Sequence, residues 1–447
     1  MGKKGKRESE SEGHRQRKGT GSYSLLGITL DSVDKGTVQR HLLILVAACI
    51  LMKFIVAFFT TTVFHSFIDY FDIGTYFNHT LPLLEGQIPY IDYQIEYPVL
   101  ALLPILMALA PAVLANDVVV FILFFQFLMI LCDIVTTVCV YLIALKIWDE
   151  KRAFLSAGLY VTSFSAAYFV ITKYDAFPTC LLMLALLFTL YGMKMKGYLC
   201  SGLGFFAKIY PAIAIPFFVL HNAKTTSLKE EIISALKIII PLCVVLFIPF
   251  LILRPEVIKT YLFTTGSSAA VYANTLTYTV YAYLQGIGHL GITMEACSMV
   301  MYLIMGLIAI ALLWSAYRDP EKRPVTLLKL IACALIAAVL FTKFHSPQYI
   351  VWYTPLFALL VADDLKKIVL FYLYQALAYI EFPLMFGSFY TNLEYTNPVG
   401  SAAWYGTLLF FTAEFVVFIL LAILVVRPEG GIIRSAKKFF GMRNTNE

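Results

Sequence analysis

A polar segment from His65 to Pro98 contains five carboxylates and no lysine or arginine, in a chain that is otherwise strongly apolar. A carboxylate in such a segment can accept the proton of a hydroxyl group that attacks another molecule. Charged groups next to apolar segments are costly, so they are usually kept for function. Chemistry is therefore expected first at the acidic residues of this segment, which are Asp69, Asp72, Glu85, Asp92 and Glu96.

Cationic and hydrogen-bonding side chains stand at the ends of three later apolar stretches. A lysine or histidine at such a position can stabilise the negative charge of a phosphate group. Tyrosine rings pack against sugars and lie at membrane interfaces. Together with an acidic loop, these are the side chains that a transferase with a lipid-phosphate donor needs. They are Lys173 and Asp175 in TKYDAFP, Lys208 and Tyr210 in AKIYP, and Lys343, His345 and Gln348 in TKFHSPQY.

Plainer structural roles stay open for several of these residues. Asp72 would also suit the N-cap of an amphipathic helix over 73–85. Asp69 and Asp72 form a D-x-x-D pair that would suit a divalent metal, although we expect no metal, because a lipid-monophosphate donor has no diphosphate to hold. Lys208 would also suit a helix end from which it extends to water, and His345 a membrane boundary where it bonds to backbone.

Two alternatives also remain for Lys173 and Asp175, and two for Glu96. Lys173 and Asp175 are two positions apart, so they would either pair with each other or bind substrate. Glu96 would either cap the helix that begins near Pro98 or bind sugar hydroxyls. Spacing along the chain does not show which way these side chains point, so both alternatives remain.

The composition indicates an all-α, polytopic membrane protein. Of the 447 residues, 60% are hydrophobic and only 14% are charged, whereas a soluble domain has about 25% charged residues. A backbone that is exposed to lipid must satisfy its own hydrogen bonds, which favours helices. The net charge of +6 comes with no nucleic-acid motif, so membrane lipids rather than nucleic acid are the expected surroundings.

The distribution of basic residues predicts the topology, because lysine and arginine concentrate in cytoplasmic loops. We predict a disordered cytoplasmic tail over 1–40, a membrane domain over 41–426 and a second cytoplasmic tail over 427–447. The segment 98–115 is interpreted as a re-entrant helix, since a span there would put the basic KIWDEKR loop outside. All the candidate residues then face the outer side. The twelve predicted spans are about 41–63, 118–146, 153–171, 176–193, 198–208, 210–221, 232–253, 294–316, 325–342, 348–362, 366–387 and 403–426.

Several motifs occur in the same order as in a known superfamily of membrane enzymes. D-I-G-T-Y at 72–76, E-G-Q-I-P-Y at 85–90 and E-Y-P-V-L at 96–100 resemble the first outer loop of GT-C glycosyltransferases. G-x-x-x-x-x-K-x-x-P at 202–211 and H-S-P-Q-Y-x-x-W at 345–352 fit the same superfamily. The chain is most similar to family 87, the mannosyltransferases that use polyprenyl-phosphate mannose.

The resemblance implies a GT-C fold and an inverting transfer of a hexose, with mannose as the expected sugar, without a cofactor. The donor would be a polyprenyl- or dolichyl-phosphate sugar, and the acceptor a lipid-linked or other glycan at the outer or lumenal face of the plasma membrane or endoplasmic reticulum. Asp72, or else Asp69, would be the catalytic base. Lys208, His345 and Lys343 would bind the donor phosphate, and the substrate-binding residues would be Glu96, Tyr76, Tyr210, Gln348, Lys173 and Asp175.

Two other classes of function compete with this interpretation. A secondary transporter or lipid flippase would show paired charges in the middle of the bilayer and an internal repeat, and neither stands out in the sequence. A non-catalytic scaffold of a glycan-assembly complex would tolerate the loss of Asp72.

Overall fold

The structure is a computed structural model that describes residues 23–25, 27–30, 33–62, 70–256, 271–395 and 400–426. Most of this part of the chain is helical, which confirms the all-α prediction. Short 3₁₀ or π turns join several of the helices. In chain order the α-helices are α1 Lys35–Thr62, α2 Phe71–Asn78, α3 Leu81–Leu84, α4 Leu102–Ala115, α5 Val118–Ile147, α6 Glu150–Val161, α7 Phe164–Thr172, α8 Ala176–Leu190, α9 Lys194–Ala207, α10 Ala214–Asn222, α11 Leu228–Leu246, α12 Ile248–Leu253, α13 Leu276–Tyr281, α14 Met294–Arg318, α15 Pro324–Leu340, α16 Ile350–Val361, α17 Leu365–Tyr379, α18 Phe386–Tyr390 and α19 Ala402–Val426.

The end of the predicted N-terminal tail is ordered. Strands β1 Tyr23–Leu25 and β2 Ile28–Leu30 form an antiparallel hairpin, and α1 begins at Lys35 rather than near residue 41. The hairpin is held because the side chains of Ile28 and Leu30 are buried in the core. Residues 1–22 and 427–447, which contain the rest of the two predicted tails, lie outside the described residues.

The length and surface of the helices identify a membrane protein. Within the described chain, five helical segments are long and apolar enough to cross a bilayer, and a sixth results if α6 and α7, bent by 58°, form one span. These segments expose large apolar side chains, among them Leu43 and Phe54 on α1 and Met299 on α14. Water would penalise such a surface, whereas lipid does not. The total of twelve spans stays a prediction.

One of the shorter apolar helical segments, Val99–Ala115, covers the segment that the sequence predicted to be re-entrant. A 3₁₀ turn at Val99–Ala101 and α4 cover the predicted segment 98–115. The chain then reverses at Asn116, which has a left-handed φ of 53°, and α4 packs on α5. Whether this segment crosses the membrane remains a prediction.

The predicted hinge at AKIYP is confirmed. Helix α9 ends at Ala207, and a 3₁₀ turn over Tyr210–Ile213 leads into α10. Pro211 cannot donate a backbone hydrogen bond to continue α9. Its ring lies so close to Gly204 that a Cβ there would be 2.6 Å from Pro211 Cβ, so only glycine fits.

Helix α16 is the centre of the core. Every residue from Ile350 to Val361 is buried, and the helix packs against α5, α6, α7, α15 and α17. Three interruptions between helices lie near its N-terminal end: the junction of α7 and α8, the junction of α9 and the 3₁₀ turn, and the entry to α16 itself. These breaks carry most of the predicted site residues.

Candidate active site

Asp72 lies at the start of α2 and pairs with a buried lysine. Its Oδ2 atom is 2.9 Å from Nζ of Lys173, and the two side chains are 23% and 6% exposed. The N-cap of α2 is Tyr70, and Asp72 stands inside the first turn. The N-cap interpretation of Asp72 is therefore wrong, because its carboxylate serves an ion pair and stays accessible on one side.

Asp175 pairs with Lys208, which lies at the end of α9. Lys208 Nζ donates to Asp175 Oδ1 at 2.6 Å. Asp175 is fully buried, and Lys208 keeps 16% of its side chain exposed. Among the described residues, Asp175 Oδ2 has no hydrogen-bond partner. The expected alternative in which Lys173 pairs with Asp175 is wrong, because each of the two has a distant partner instead. The alternative in which Lys208 extends to water is also wrong, because its ammonium is bound to the buried Asp175.

A cluster of three tyrosine rings lies beside both ion pairs. The rings of Tyr76, Tyr97 and Tyr174 meet edge to face, with centroids 5.3 to 5.7 Å apart. The ammonium of Lys208 lies 4.7 Å from the Tyr174 centroid. The buried hydroxyl of Tyr76 has no hydrogen-bond partner, and burial, with the charge of Asp72, raises its pKa. The cluster thus joins the two ion pairs into one site.

Glu96 lies beside this cluster. It is exposed, and its charge adds to burial in raising the pKa of the Tyr97 hydroxyl. The following 3₁₀ turn has Pro98 as its N-cap and receives no side-chain cap. Of the two roles predicted for Glu96, the helix cap is therefore wrong.

A stack of three further rings also lies near Lys208. The Trp352 ring lies between those of Tyr210 and Tyr349. Its centroid is 4.2 Å from that of Tyr210, with 10° between the ring planes, and 3.8 Å from that of Tyr349, with 29° between the planes. Its indole N–H donates to Asp175 Oδ1 at 2.5 Å. Tyr210 is fixed in turn, because its hydroxyl lies 2.6 Å from Thr179 Oγ1.

His345 is placed at the edge of this stack and not in the ion pairs. Its ring meets Tyr349 edge on at 5.6 Å and lines a small cavity that also contains Glu381 and Glu414. Burial lowers the pKa of His345 to about 4, so the ring is neutral at physiological pH. A neutral imidazole can still donate one N–H to a phosphate.

Lys343 and Gln348 flank this histidine. The carbonyl of Lys343 accepts a hydrogen bond from the Tyr272 N–H at 3.0 Å. Gln348 is partly buried in the 3₁₀ turn Pro347–Tyr349. Neither residue belongs to the two ion pairs described above.

Metal binding was an open alternative for the D-x-x-D pair. In the part of the chain that the structure describes, no group of three or more His, Cys, Asp or Glu side chains is arranged to hold a metal ion. Asp69 lies outside the described residues. Its predicted role as partner of Asp72, or as the base, stays a prediction.

A family model of glycosyltransferase family 87 matches residues 97–342, which is more than half of the chain. The chain belongs to glycosyltransferase family 87. No curated protein was found to match it. The matched range includes Lys173, Asp175 and Lys208, begins after Asp72 and ends before His345. The family thus establishes a membrane-embedded glycosyltransferase.

Two buried carboxylates of this family 87 enzyme did not stand out in the sequence. Glu381 and Glu414 are 3% and 6% exposed, and both line the cavity beside His345. Asn274 Nδ2 donates to Glu381 Oε1 at 2.8 Å, and Asn274 Oδ1 has no partner. The signal for both was an isolated acidic residue within an apolar helix, which is costly enough to deserve a role.

A buried ion pair between α1 and α5 was also missed. Lys53 and Asp133 are in contact, and both are almost fully buried. Asp133 also accepts from Cys49 Sγ at 3.0 Å and from the Tyr160 hydroxyl at 2.5 Å. Paired charges within a span were the mark of a transporter. The charges of this pair, however, neutralise each other and are hydrogen-bonded by side chains of neighbouring helices, as a buried ion pair with a structural role requires.

Proposed function

We propose that this family 87 enzyme transfers a hexose, with mannose as the favoured sugar, from a polyprenyl- or dolichyl-phosphate donor to a lipid-linked or other glycan acceptor. The observation that supports the proposal best is that one site contains both a carboxylate that can act as the base and an ammonium group that can bind the phosphate. An accessible carboxylate, Asp72, and a partly exposed ammonium, Lys208, lie beside the same tyrosine cluster, where the charge of Asp72 acts on Tyr76 and Lys208 lies near the Tyr174 ring. Transfer from a lipid phosphate requires both a base and a stabilised phosphate.

The base in this proposal is Asp72. It accepts the proton of the acceptor hydroxyl while the oxygen attacks C1 of the donor sugar from the face opposite the phosphate. The bond between C1 and the phosphate oxygen breaks, so the anomeric configuration inverts. The proton on Asp72 then passes to solvent, to which this side chain is 23% exposed. Lys173 holds the carboxylate in position.

The departing phosphate is bound by Lys208. An ammonium group has three N–H donors, and Asp175 accepts from Lys208 Nζ through one oxygen at 2.6 Å. Two donors are left for phosphate oxygens on the exposed side. His345, neutral because of its lowered pKa, adds a polar N–H. Among the described residues, the buried Tyr76 hydroxyl and Asp175 Oδ2 have no hydrogen-bond partner. Buried polar atoms are normally hydrogen-bonded, and the hydroxyl groups of a bound sugar would supply the partners.

The location follows from the same proposal. Both termini would lie in the cytoplasm, and the site would open to the outer or lumenal face, because the basic loops of the sequence favour that threading. The lipid tail of the donor would then stay in the bilayer while its phosphate reaches Lys208.

The test is a transfer assay with purified protein. Polyprenyl-phosphate [³H]mannose and a crude lipid acceptor are supplied, and free polyprenyl phosphate and labelled product are measured together. The proposal predicts that both appear in equal amounts, and that polyprenyl-phosphate glucose reacts more slowly. Substrate flux into proteoliposomes without any release of polyprenyl phosphate would support a transporter instead.

A further inference from the structure

Trp352 and Lys208 share one oxygen of a buried carboxylate. Asp175 Oδ1 accepts from Lys208 Nζ at 2.6 Å and from Trp352 Nε1 at 2.5 Å, while Oδ2 has no hydrogen-bond partner in the part of the chain that the structure describes. Hydrogen bonds to an ionised group are about twice as strong as neutral ones. The direction of the Asp175 carboxylate is therefore fixed by two donors, of which only one is a flexible side chain.

The indole is the rigid member of this arrangement. Trp352 is 8% exposed, lies on the buried helix α16 and is stacked between Tyr210 and Tyr349. Lysine, by contrast, has four rotatable bonds and loses much entropy when it is held in place. The fixed indole N–H therefore determines the position of the Asp175 carboxylate, and through it the position of the Lys208 ammonium.

Three aromatic rings, two of them from this stack, lie near the Lys208 ammonium. Lys208 Nζ lies 5.2 Å from the Trp352 centroid, 4.7 Å from that of Tyr174 and 5.7 Å from that of Tyr349, all within the roughly 6 Å range of cation–π attraction. Its side chain remains 16% exposed. The ammonium is therefore held in place before a ligand arrives, yet it can still be reached by an anion.

We propose that Trp352 is a positioning residue that holds Asp175 so that Lys208 keeps free N–H donors for the donor phosphate. This role rests on the proposed lipid-phosphate donor. Without the indole N–H, the full charge of Asp175 acts on Lys208 alone and turns the ammonium toward the buried carboxylate. The phosphate then meets a cation that is more fully neutralised and less well placed.

The variant Trp352→Phe tests this role, because phenylalanine keeps an aromatic ring in the stack and removes only the N–H and part of the ring area. We expect the KM for polyprenyl-phosphate mannose to rise about tenfold, the effect of about 1.4 kcal/mol, which is close to the lower end for a hydrogen bond to a charged group. The kcat should change much less.

Trp404→Phe is the matched control. Trp404 is 1% exposed, but its indole nitrogen has no hydrogen-bond partner within the described ranges, so the same substitution breaks no hydrogen bond there. We expect the donor KM to stay near that of the wild type. An equal rise of KM in both variants would overturn the positioning role, because it would then reflect only the smaller ring.

A second comparison uses Lys208→Met as the background. If Trp352 acts only through Lys208, adding Trp352→Phe to Lys208→Met changes the donor KM no further, because the two effects are not independent. A further tenfold rise would contradict the proposal. If the wild type releases no polyprenyl phosphate at all, the proposed donor is wrong, and the positioning role falls with it.

Discussion

Replacing Lys173 with methionine tests whether Asp72 depends on its ion-pair partner. The charged atoms are 2.9 Å apart, so their attraction is about 6 kcal/mol at an effective dielectric constant of about 20. Much of this is offset by desolvation, and Asp72 is 23% exposed, so we expect a net loss of about 1–2 kcal/mol in unfolding free energy. A base without its orienting partner should also lose roughly 10- to 100-fold in kcat, part of what general-base catalysis contributes.

Lys194→Met is the control for this experiment. Lys194 Nζ lies 2.5 Å from Oε1 of the fully buried Glu231, at the opposite end of α9 from Lys208. Both variants should lower the melting temperature in detergent, but only Lys173→Met should lower the kcat of the folded fraction. A kcat for Lys173→Met within twofold of the wild type, or an equal loss in Lys194→Met, would refute the reasoning.

Two further predictions concern the cavity beside the site. The pKa of His345 in the fold, about 4, lies below its value of about 6.5 in the unfolded chain. The contribution of this residue to the free energy of unfolding is therefore fully present above pH 6.5 and falls as the pH decreases toward 4, because the unfolded chain takes up a proton that the folded protein does not. The melting temperature of His345→Gln should therefore fall less than that of the wild type between pH 7.5 and 5, and parallel curves would contradict this. Glu414→Gln keeps the shape of a buried acid and removes the cost of an ionisable group, so it should raise the unfolding free energy by about 1 kcal/mol. A loss of that size in thermal unfolding would speak against it.

The sequence predicted the helical segments well because hydropathy and helix breakers act locally. The hinge before Tyr210 follows from Pro211, which ends the hydrogen-bond ladder of α9. The start of α1 at Lys35 was missed, because the polar residues before His41 resemble a tail. The buried side chain of Ile28 in the preceding hairpin supplies the tertiary contact that orders this region.

The sequence predicted that Lys173 and Asp175 stand at a break between helices, but it did not predict their partners. Lys173 is the C-cap of α7 and has extended backbone, with φ −133° and ψ 158°. Asp175 already has the helical backbone that begins α8. Two residues so close in sequence therefore reach different neighbours, Asp72 and Lys208, which lie 101 and 33 positions away. Spacing alone gives no account of such long-range pairs.

Trp352 shows what a motif leaves out. It was part of the H-S-P-Q-Y-x-x-W pattern but received no role, because a tryptophan in an apolar helix is usually only packed. Its contact with Asp175 depends on how α16 lies against α8. Glu381 and Glu414, in contrast, carried a local signal, an isolated acid in an apolar helix, that could have been used.

The role of Asp72 as the base is tested most directly by Asp72→Asn in the transfer assay. Asparagine keeps the size of the side chain and an oxygen for Lys173, and it removes the basic carboxylate. We predict that release of polyprenyl phosphate falls at least about 100-fold, the lower range of what a general base contributes, with an unchanged KM for the donor. Asp69→Asn, measured alongside, should retain most of the activity. Transfer by Asp72→Asn at the wild-type rate would contradict the account.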